Sequence, residues 1–439
     1  MATKRNATVL LYDYGLFVEW ALKLTEYFER VYYYCPWKSS FPSSNQLMVG
    51  DGLPGVKRIR NFWDVVDEVD LFVFPDIYDG DIQKYLRTQG KRVFGGAKGE
   101  NLELLRYETK ELFKKLGMPV QPIKNIVGLE ALRAHLKDHE NKYIKVSTTR
   151  GDFETFHHTT YKLTEPLLDE LEHRLGAKKK VLEFVVEDAI EPAIENGYDG
   201  VCIDGQFAQK NSMYGFEIKD CGYALTIQRY TQMPKPVQFI NEKLSPILKK
   251  YQYRGFFSTE VRIDKAKRDP YLIDVCARAG SPPNELYQEM VSNWGDIFWY
   301  GADGEVVEPE PIKRYGVEAL IHSGWADKNW QAMYCPKETR KWMKLRNMTV
   351  IEGLTYVAPQ QCSLPEIGAV IGIGDTLVDA IKHLCENACK IEGYDIDIKL
   401  DAIPKAIEEI KKSKEEYGYG FGDGPIPTEM QVSKAMDAK

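Results

Sequence analysis

Three side chains in one short stretch have the types and spacing for phosphate chemistry. Residues 255–285 hold two apolar segments, 256–263 (FFSTEVRI) and 270–275 (PYLIDV), separated by the charged break 265–269 (KAKRD). Apolar runs around a short polar break predict a β-hairpin. Each strand carries one acid in mostly apolar company, Glu260 on the first and Asp274 on the second. Two readings stand side by side. Carboxylates in strands usually sit on the solvated face, which makes these two surface acids. Paired strands also bring two such acids together, where they suit a hard divalent cation such as Mg²⁺. Arg278 follows closely and carries a guanidinium suited to phosphate oxygens.

A second candidate is Lys145, inside the apolar strand YIKV at 143–146, followed by a polar stretch with one glycine, Gly151. A lysine inside a strand either solvates a sheet edge or holds phosphate. The eight cysteines include no CxxC pair, and Cys385 and Cys389 at helical spacing read as two core thiols. The seven histidines form no HExxH, and the adjacent His157 and His158 belong to a strand or loop.

The elements that must position these groups follow from the patterning. Residues 7–100 alternate strand and helix with apolar strands, which predicts a parallel sheet in a Rossmann-like domain. The first turn, DYGLFVE, holds only Gly15 and is no GxGxxG fingerprint. Residues 101–135 are mostly helical, interrupted by Gly117 and Pro119. KKKVLEFVVED is a further strand, residues 193–225 an antiparallel meander, and 236–251 an amphipathic helix. A new set of strands starts near residue 311. The Gly- and Pro-rich segment from about Tyr417 reads as a loose tail or surface strap.

At 439 residues the chain is expected to form several domains. A composition of 44% hydrophobic and 28% charged residues is that of a globular protein. The formal charge of −7 argues against general nucleic-acid binding. No apolar run approaches a membrane span, and the N-terminus fits a first core strand better than a signal peptide. A reduced, cytoplasmic setting and a monomer or homodimer are expected.

The order of these parts resembles the ATP-grasp superfamily of carboxylate–amine ligases, and within it the phosphoribosylglycinamide synthetases. The likeness spans roughly residues 7–410. It rests on VDLFVFP, KRVFGG and LLRYETKELFKKLGMP in succession, on LIDVCARAGSPP, which looks like the family's E-x-N-x-R-x-G-D-P-E, and on VIGIGDTLVDAIKHL. The resemblance implies a mixed α/β and α+β architecture. It comprises an N-terminal Rossmann-like domain (1–100), an ATP-grasp core (101–310, with a lid within about 120–190), a small C-terminal α+β domain (311–415) and a tail (416–439).

It also implies roles. Arg106 and Lys145 would contact the ATP phosphates. Glu183, Phe184, Val185 and Val186 would read adenine, and Glu191 would take the ribose. Glu260 and Asp274 would bind Mg²⁺, with Mn²⁺ as a substitute. Arg278 and Lys145 would act in catalysis, and Gly15, Gly280 and Ser281 would meet substrate. The implied reaction converts a carboxylate to an acylphosphate with ATP and joins it to an amine, on a small metabolite, a nucleotide or a peptide. Departures from the pattern cluster on the substrate side. Cys276 replaces a metal-binding Asn, and a thiol is a poor Mg²⁺ ligand. Ser281 and Pro283 replace Asp and Glu. The glycine-rich turn for a ribose phosphate is reduced to Gly15, and the lid keeps only Gly151.

Overall fold

The computed structural model describes residues 3–36, 48–147, 155–359 and 366–437. The N-terminal sheet contains β1 (Arg5–Tyr12), β2 (Phe28–Tyr34), β3 (Val56–Ile59), β4 (Leu71–Val73) and β5 (Arg92–Phe94). Its order is β3-β2-β1-β4-β5 and every pairing is parallel. β1 is central and covered on both faces. Val9 and Leu11 face the main core, while Leu10 and Tyr12 face a second one built with Phe72 and Leu86. A strand buried on both sides needs no polar face, so ATVLLY reads as a nearly continuous apolar run.

The next unit is antiparallel. β6 (Ile123–Val127), β7 (Lys142–Val146), β8 (Thr155–His158) and β9 (Glu183–Asp188) assemble in the order β6-β9-β7-β8. Helices Leu129–Leu136 and Tyr161–Leu175 cover one face, where Ile144, Val146, Phe184 and Val186 pack with Leu132 and Leu168. Side chains alternate along a strand, so Tyr143, Lys145, Val185 and Glu187 project from the other face. β7 is an inner strand, which removes the edge-strand reading of Lys145. The expected lid glycine, Gly151, lies outside the described residues.

β10 (Ala193–Tyr198), β11 (Val201–Ile203), β12 (Gln206–Phe207), β13 (Ser212–Ile218) and β14 (Gly222–Gln228) correct the expected meander: only β11–β12 and β13–β14 pair as sequence neighbours, and the five strands are divided among three sheets. Helix Lys235–Lys250 follows, then β15 (Arg254–Phe256), β16 (Ser258–Asp264) and β17 (Pro270–Cys276). β16 and β17 are the predicted hairpin, and β10 joins them in a sheet of order β10-β16-β17. Val261 and Ile263 enter the main core, which turns Glu260 and Arg262 to the opposite face.

On β17 the core residues are Leu272 and Val275, a spacing that breaks the alternation. The pairing shows why. Glu260 opposes Asp274 and Val261 opposes Leu272, leaving Ile273 as an extra residue in a β-bulge. Without it, Asp274 would share the face of Leu272 and point into the core. The bulge sets Asp274 opposite Glu260 on the outer face.

The C-terminal strands are β18 (Tyr315–Ser323), β19 (Gln331–Tyr334), β20 (Met343–Leu345), β21 (Met348–Ile351), β22 (Leu354–Val357), β23 (Glu366–Gly374), β24 (Glu392–Gly393) and β25 (Ile396–Ile398). One sheet runs β13-β14-β18-β23-β20 with β25 beside β18, and a smaller one runs β21-β22-β19-β24. Because β14 pairs with β18, a single sheet bridges the boundary expected near residue 311.

The expectation of a loose tail is corrected. Phe421 is 4% exposed and sits among Tyr214, Phe216 and Tyr315. Helix Glu429–Met436 packs on helix Leu377–Ala388 and buries Val432 and Ala435. The Gly- and Pro-rich composition of the connection hid these anchors. Among the described residues, no helix is long and apolar enough to cross a membrane.

Candidate active site

A cleft of about 1260 Å³ opens where the β6–β9 sheet, the β10-β16-β17 sheet, the N-terminal domain and the C-terminal strands meet. Lys145, Glu187, Glu195, Glu217, Glu260 and Asp274 all line it. At its centre Lys145 reaches across from β7 to β17. Its Nζ lies 2.6 Å from Asp274 Oδ2 and 2.8 Å from the Ile273 carbonyl, and Glu187 Oε2 stands 3.7 Å away. Burial alone pulls the Lys145 ammonium down, but Asp274 and Glu187 outweigh it and hold it above its usual value.

Two further cations stand behind this pair. Arg106 Nε is 3.9 Å from Asp274 Oδ1, and the same guanidinium donates to the Val146 carbonyl. Arg106 is buried and does not itself line the cleft. Lys110 Nζ donates to the carbonyls of Leu272 and Ile273, each at 2.9 Å, and lies 3.2 Å from Glu187 Oε1. Burial pushes the Lys110 ammonium down, with Lys145 adding to the effect and Glu187 opposing it. Burial would raise the Asp274 carboxyl, but Lys145, Arg106 and Lys110 hold it below the usual range.

Glu260 is the reverse case. Burial, Asp274, Glu195 and Glu217 drive its carboxyl well above the usual range, and Lys145 offsets only part of this. Glu217 is exposed where it opens onto the same cleft, and enclosure by the cleft walls together with Glu195, Asp199 and Glu366 pushes its carboxyl up.

The donor set suits one hard cation. Glu260 and Asp274 offer carboxylate oxygens from adjacent strands, and the excess acid around Glu260 favours positive charge. No group of three or more His, Cys, Asp or Glu placed for a metal occurs among the described residues, so a cation there would draw its other ligands from phosphate or water. Cys276 adds nothing to the set: burial pushes its thiol well up and keeps it neutral, despite the pull of Arg278. Arg278 lines the cleft and is anchored by Glu103, with Nε 2.9 Å from Oε1. The other oxygen of Glu103 accepts from the Ala277 amide at 2.7 Å, which fixes the turn after β17.

The remaining candidates divide. Gly280 and Ser281 line the cleft. Glu183, Phe184, Val185 and Val186 do not. Phe184 and Val186 face the helices, Glu183 accepts from Asn125, and the segment pairs on both sides with β6 and β7. A strand hydrogen-bonded on both edges has no main-chain groups left for a base. The cleft wall at this end is instead Glu187, Asp188 and Ile190, at and just past the end of β9. Glu191 is exposed and also lies off the cleft.

Gly15 is buried beside the cleft rather than in its wall. Its amide donates to Asp13 Oδ2 at 2.9 Å, the Phe17 amide donates to the same carboxylate at 3.2 Å, and so does the Tyr33 hydroxyl at 2.9 Å. Asp13 thus fills the turn with an internal anion. Burial, aided by Asp76, lifts its carboxyl to about 6 against these donors.

The paired sheets closing on this cleft form the ATP-grasp fold. Neither a protein-family profile nor a curated protein sequence matches the chain. Solved structures do. Phosphoribosylamine–glycine ligase from Thermotoga maritima superposes at a TM-score of 0.67 with 17% identity, over 90% of this chain and 99% of that one. The biotin carboxylase domain of Hydrogenobacter thermophilus 2-oxoglutarate carboxylase, solved with MgADP and bicarbonate, matches at 0.61 with 12% identity, over 95% and 97%. L-amino acid ligase from Bacillus licheniformis matches at 0.56 with 14% identity, over 89% and 99%.

Proposed function

We propose that the protein is an ATP-dependent carboxylate–amine ligase that releases ADP and phosphate. The observation that carries this reading is the convergence of Lys145, Asp274, Glu260 and Arg278 on one cleft, with Arg106 and Lys110 in support. A substrate carboxylate oxygen attacks the γ-phosphorus and the bond to the β-phosphate oxygen breaks, giving ADP and an acylphosphate. An amine then attacks the acyl carbon, the carbon–oxygen bond to phosphate breaks, and the nitrogen loses a proton. Lys145 and Arg278 hold phosphate oxygens, and such preorganised charge acts without reorganising in the transition state. Glu260 and Asp274 would hold Mg²⁺, which supplies charge neutralisation at the phosphates. The segment 187–190, rather than 183–186, borders the base. The departing phosphate takes up the proton leaving the amine, because Glu217, pushed up to about 8, already carries one near neutral pH.

The same geometry speaks against phosphoribosylamine as the amine. The turn that would cradle a phosphate already holds Asp13. A second reading, a protein that binds nucleotide without turnover, is favoured by the neutral thiol of Cys276 at the position of a second metal ligand.

One experiment separates these readings. The protein is incubated with Mg-ATP and pools of amino acids and amines, and ADP and phosphate are followed. The ligase reading expects amino-acid-dependent ADP release that is lost in Asp274→Ala. AMP and pyrophosphate would overturn the acylphosphate route. Tight ATP binding with no release under any pool would favour the second reading.

A further inference from the structure

We propose that Gln121 selects the nucleotide base, accepting a hydrogen bond from the exocyclic amine of adenine and disfavouring a 6-oxo purine. This rests on the reading that the cleft takes ATP.

Gln121 lies just ahead of β6, is 5% exposed, and lines the cleft beside Glu187. Its Nε2 donates to Glu187 Oε2 at 2.6 Å. Chemistry fixes that orientation. Glu187 lies 3.2 Å from Lys110 and 3.7 Å from Lys145, and an acid paired with two ammonium groups serves its neighbours as an acceptor. The amide must therefore turn its NH₂ toward Glu187.

The carbonyl oxygen is thereby turned away from Glu187. Gln121 Oε1 is buried and has no hydrogen-bond partner among the described residues. A buried acceptor of this kind is normally satisfied, and the adjoining space is the cleft. The neighbouring backbone of β9 is already paired with β6 and β7 and supplies no donor. A ligand seated in the cleft can bring one.

The purine ring at position 6 decides which ligand can. Adenine presents an N–H donor there, whereas guanine and hypoxanthine present an oxygen. A 6-oxo purine would set acceptor against acceptor. Rotating the amide to meet it would turn Oε1 onto the Glu187 carboxylate, so both orientations leave a buried polar group unsatisfied. Sites of this type discriminate strongly, because the wrong ligand strands the protein group as well as itself.

The test is the binding of ATP, ITP and GTP, with Mg²⁺, to the full chain and to Gln121→Met by calorimetry. Wild type is expected to prefer ATP, and the ATP-to-ITP ratio should narrow by about tenfold or more in Gln121→Met. Thermal melting checks that the variant folds. Should it not, Gln121→Asn keeps the amide but withdraws the oxygen by one carbon, and the same narrowing is expected. An unchanged ratio in a folded variant that still binds ATP overturns the role of Gln121 and leaves the ligase reading standing. Failure of wild type to bind any nucleotide overturns both.

Discussion

The carboxylates of Glu260 and Asp274 stand opposite each other in the β16–β17 pairing and titrate in opposite directions. Asp274 has Lys145 at 2.6 Å and two further cations behind it. Glu260 has no ion pair with any described residue and faces Glu195 and Glu217. The cations hold the Asp274 carboxyl down, while burial and its acidic neighbours push the Glu260 carboxyl up. Mg-ATP binding should therefore release a proton from Glu260 over the pH range in which that raised carboxyl titrates. Calorimetry in two buffers of different ionisation enthalpy measures it, and proton uptake would contradict the assignment.

The same asymmetry sets the pH dependence of stability. The folded value of Glu260 lies above its unfolded value of 4.5, so its contribution is complete below 4.5 and is lost as pH rises toward the folded value. Glu260→Gln should raise the denaturation midpoint at pH 8 and leave it nearly unchanged at pH 4. Asp274 runs the other way. Its folded value lies below 3.8, so its contribution is present above 3.8 and is lost as pH falls through the folded value.

Lys145 is 1% exposed between Asp274 and Glu187. Lys145→Met removes the nearest cation from Asp274 and one of two from Glu187, and breaking a buried pair of this kind costs about 3–5 kcal/mol. The rate of nucleotide-dependent ADP release should fall by about 10²–10³-fold. Chemical denaturation and steady-state rates measured on one preparation separate the two effects. A folded variant with wild-type turnover would remove Lys145 from the proposed phosphate site.

Cys276→Asn replaces a neutral buried thiol with an amide oxygen. The variant should bind an additional Mn²⁺ in the presence of nucleotide, counted by electron paramagnetic resonance. In the native wild type the thiol should resist alkylation, because burial keeps it protonated. Equal metal counts in both proteins would show that position 276 does not limit metal binding.

How much of this was legible in the residues varies by element. The β16–β17 hairpin and the strand position of Lys145 follow from apolar patterning, and so does the central parallel sheet. Glu187 was open to the same logic. Phe184 and Val186 alternate into the core, which sends Val185 and Glu187 to the cleft. Lys110 was not legible. On helix Arg106–Lys115 it reads as a solvated lysine, and only the docking of that helix over β17 gives it the carbonyls of Leu272 and Ile273. The bulge at Ile273 was hidden as well, since PYLIDV looks like an unbroken strand.

The contact between Gly15 and Asn347 joins the first turn of the N-terminal sheet to the turn between β20 and β21. Gly15 has φ +103°, and a Cβ there would stand 2.1 Å from Asn347 Oδ1, while its carbonyl accepts from the Asn347 amide at 2.7 Å. Gly15→Ala should destabilise by about 1–3 kcal/mol from backbone strain, with the side-chain clash in addition. Adding Asn347→Ala should relieve the clash and leave the strain, so recovery is partial by denaturant midpoint.

Phe421 supplies the test of the C-terminal anchor. Phe421→Ala should lose about 3–5 kcal/mol, the usual cost of emptying a buried aromatic site. Limited proteolysis should then cut after helix Ala402–Tyr417. Wild-type resistance in the variant would mean that the segment is held by its final helix alone.

The carboxylate of Asp13 makes the first turn of the molecule self-liganded. It is joined to the chain two residues before the Gly15 amide it occupies. A free phosphate seeking the same amides meets a tethered competitor, whose effective concentration is at least millimolar by the arithmetic of short linkers. Under the proposed ligase reading this side chain would disfavour a phosphorylated acceptor at the turn, and changing the acceptor would begin with position 13.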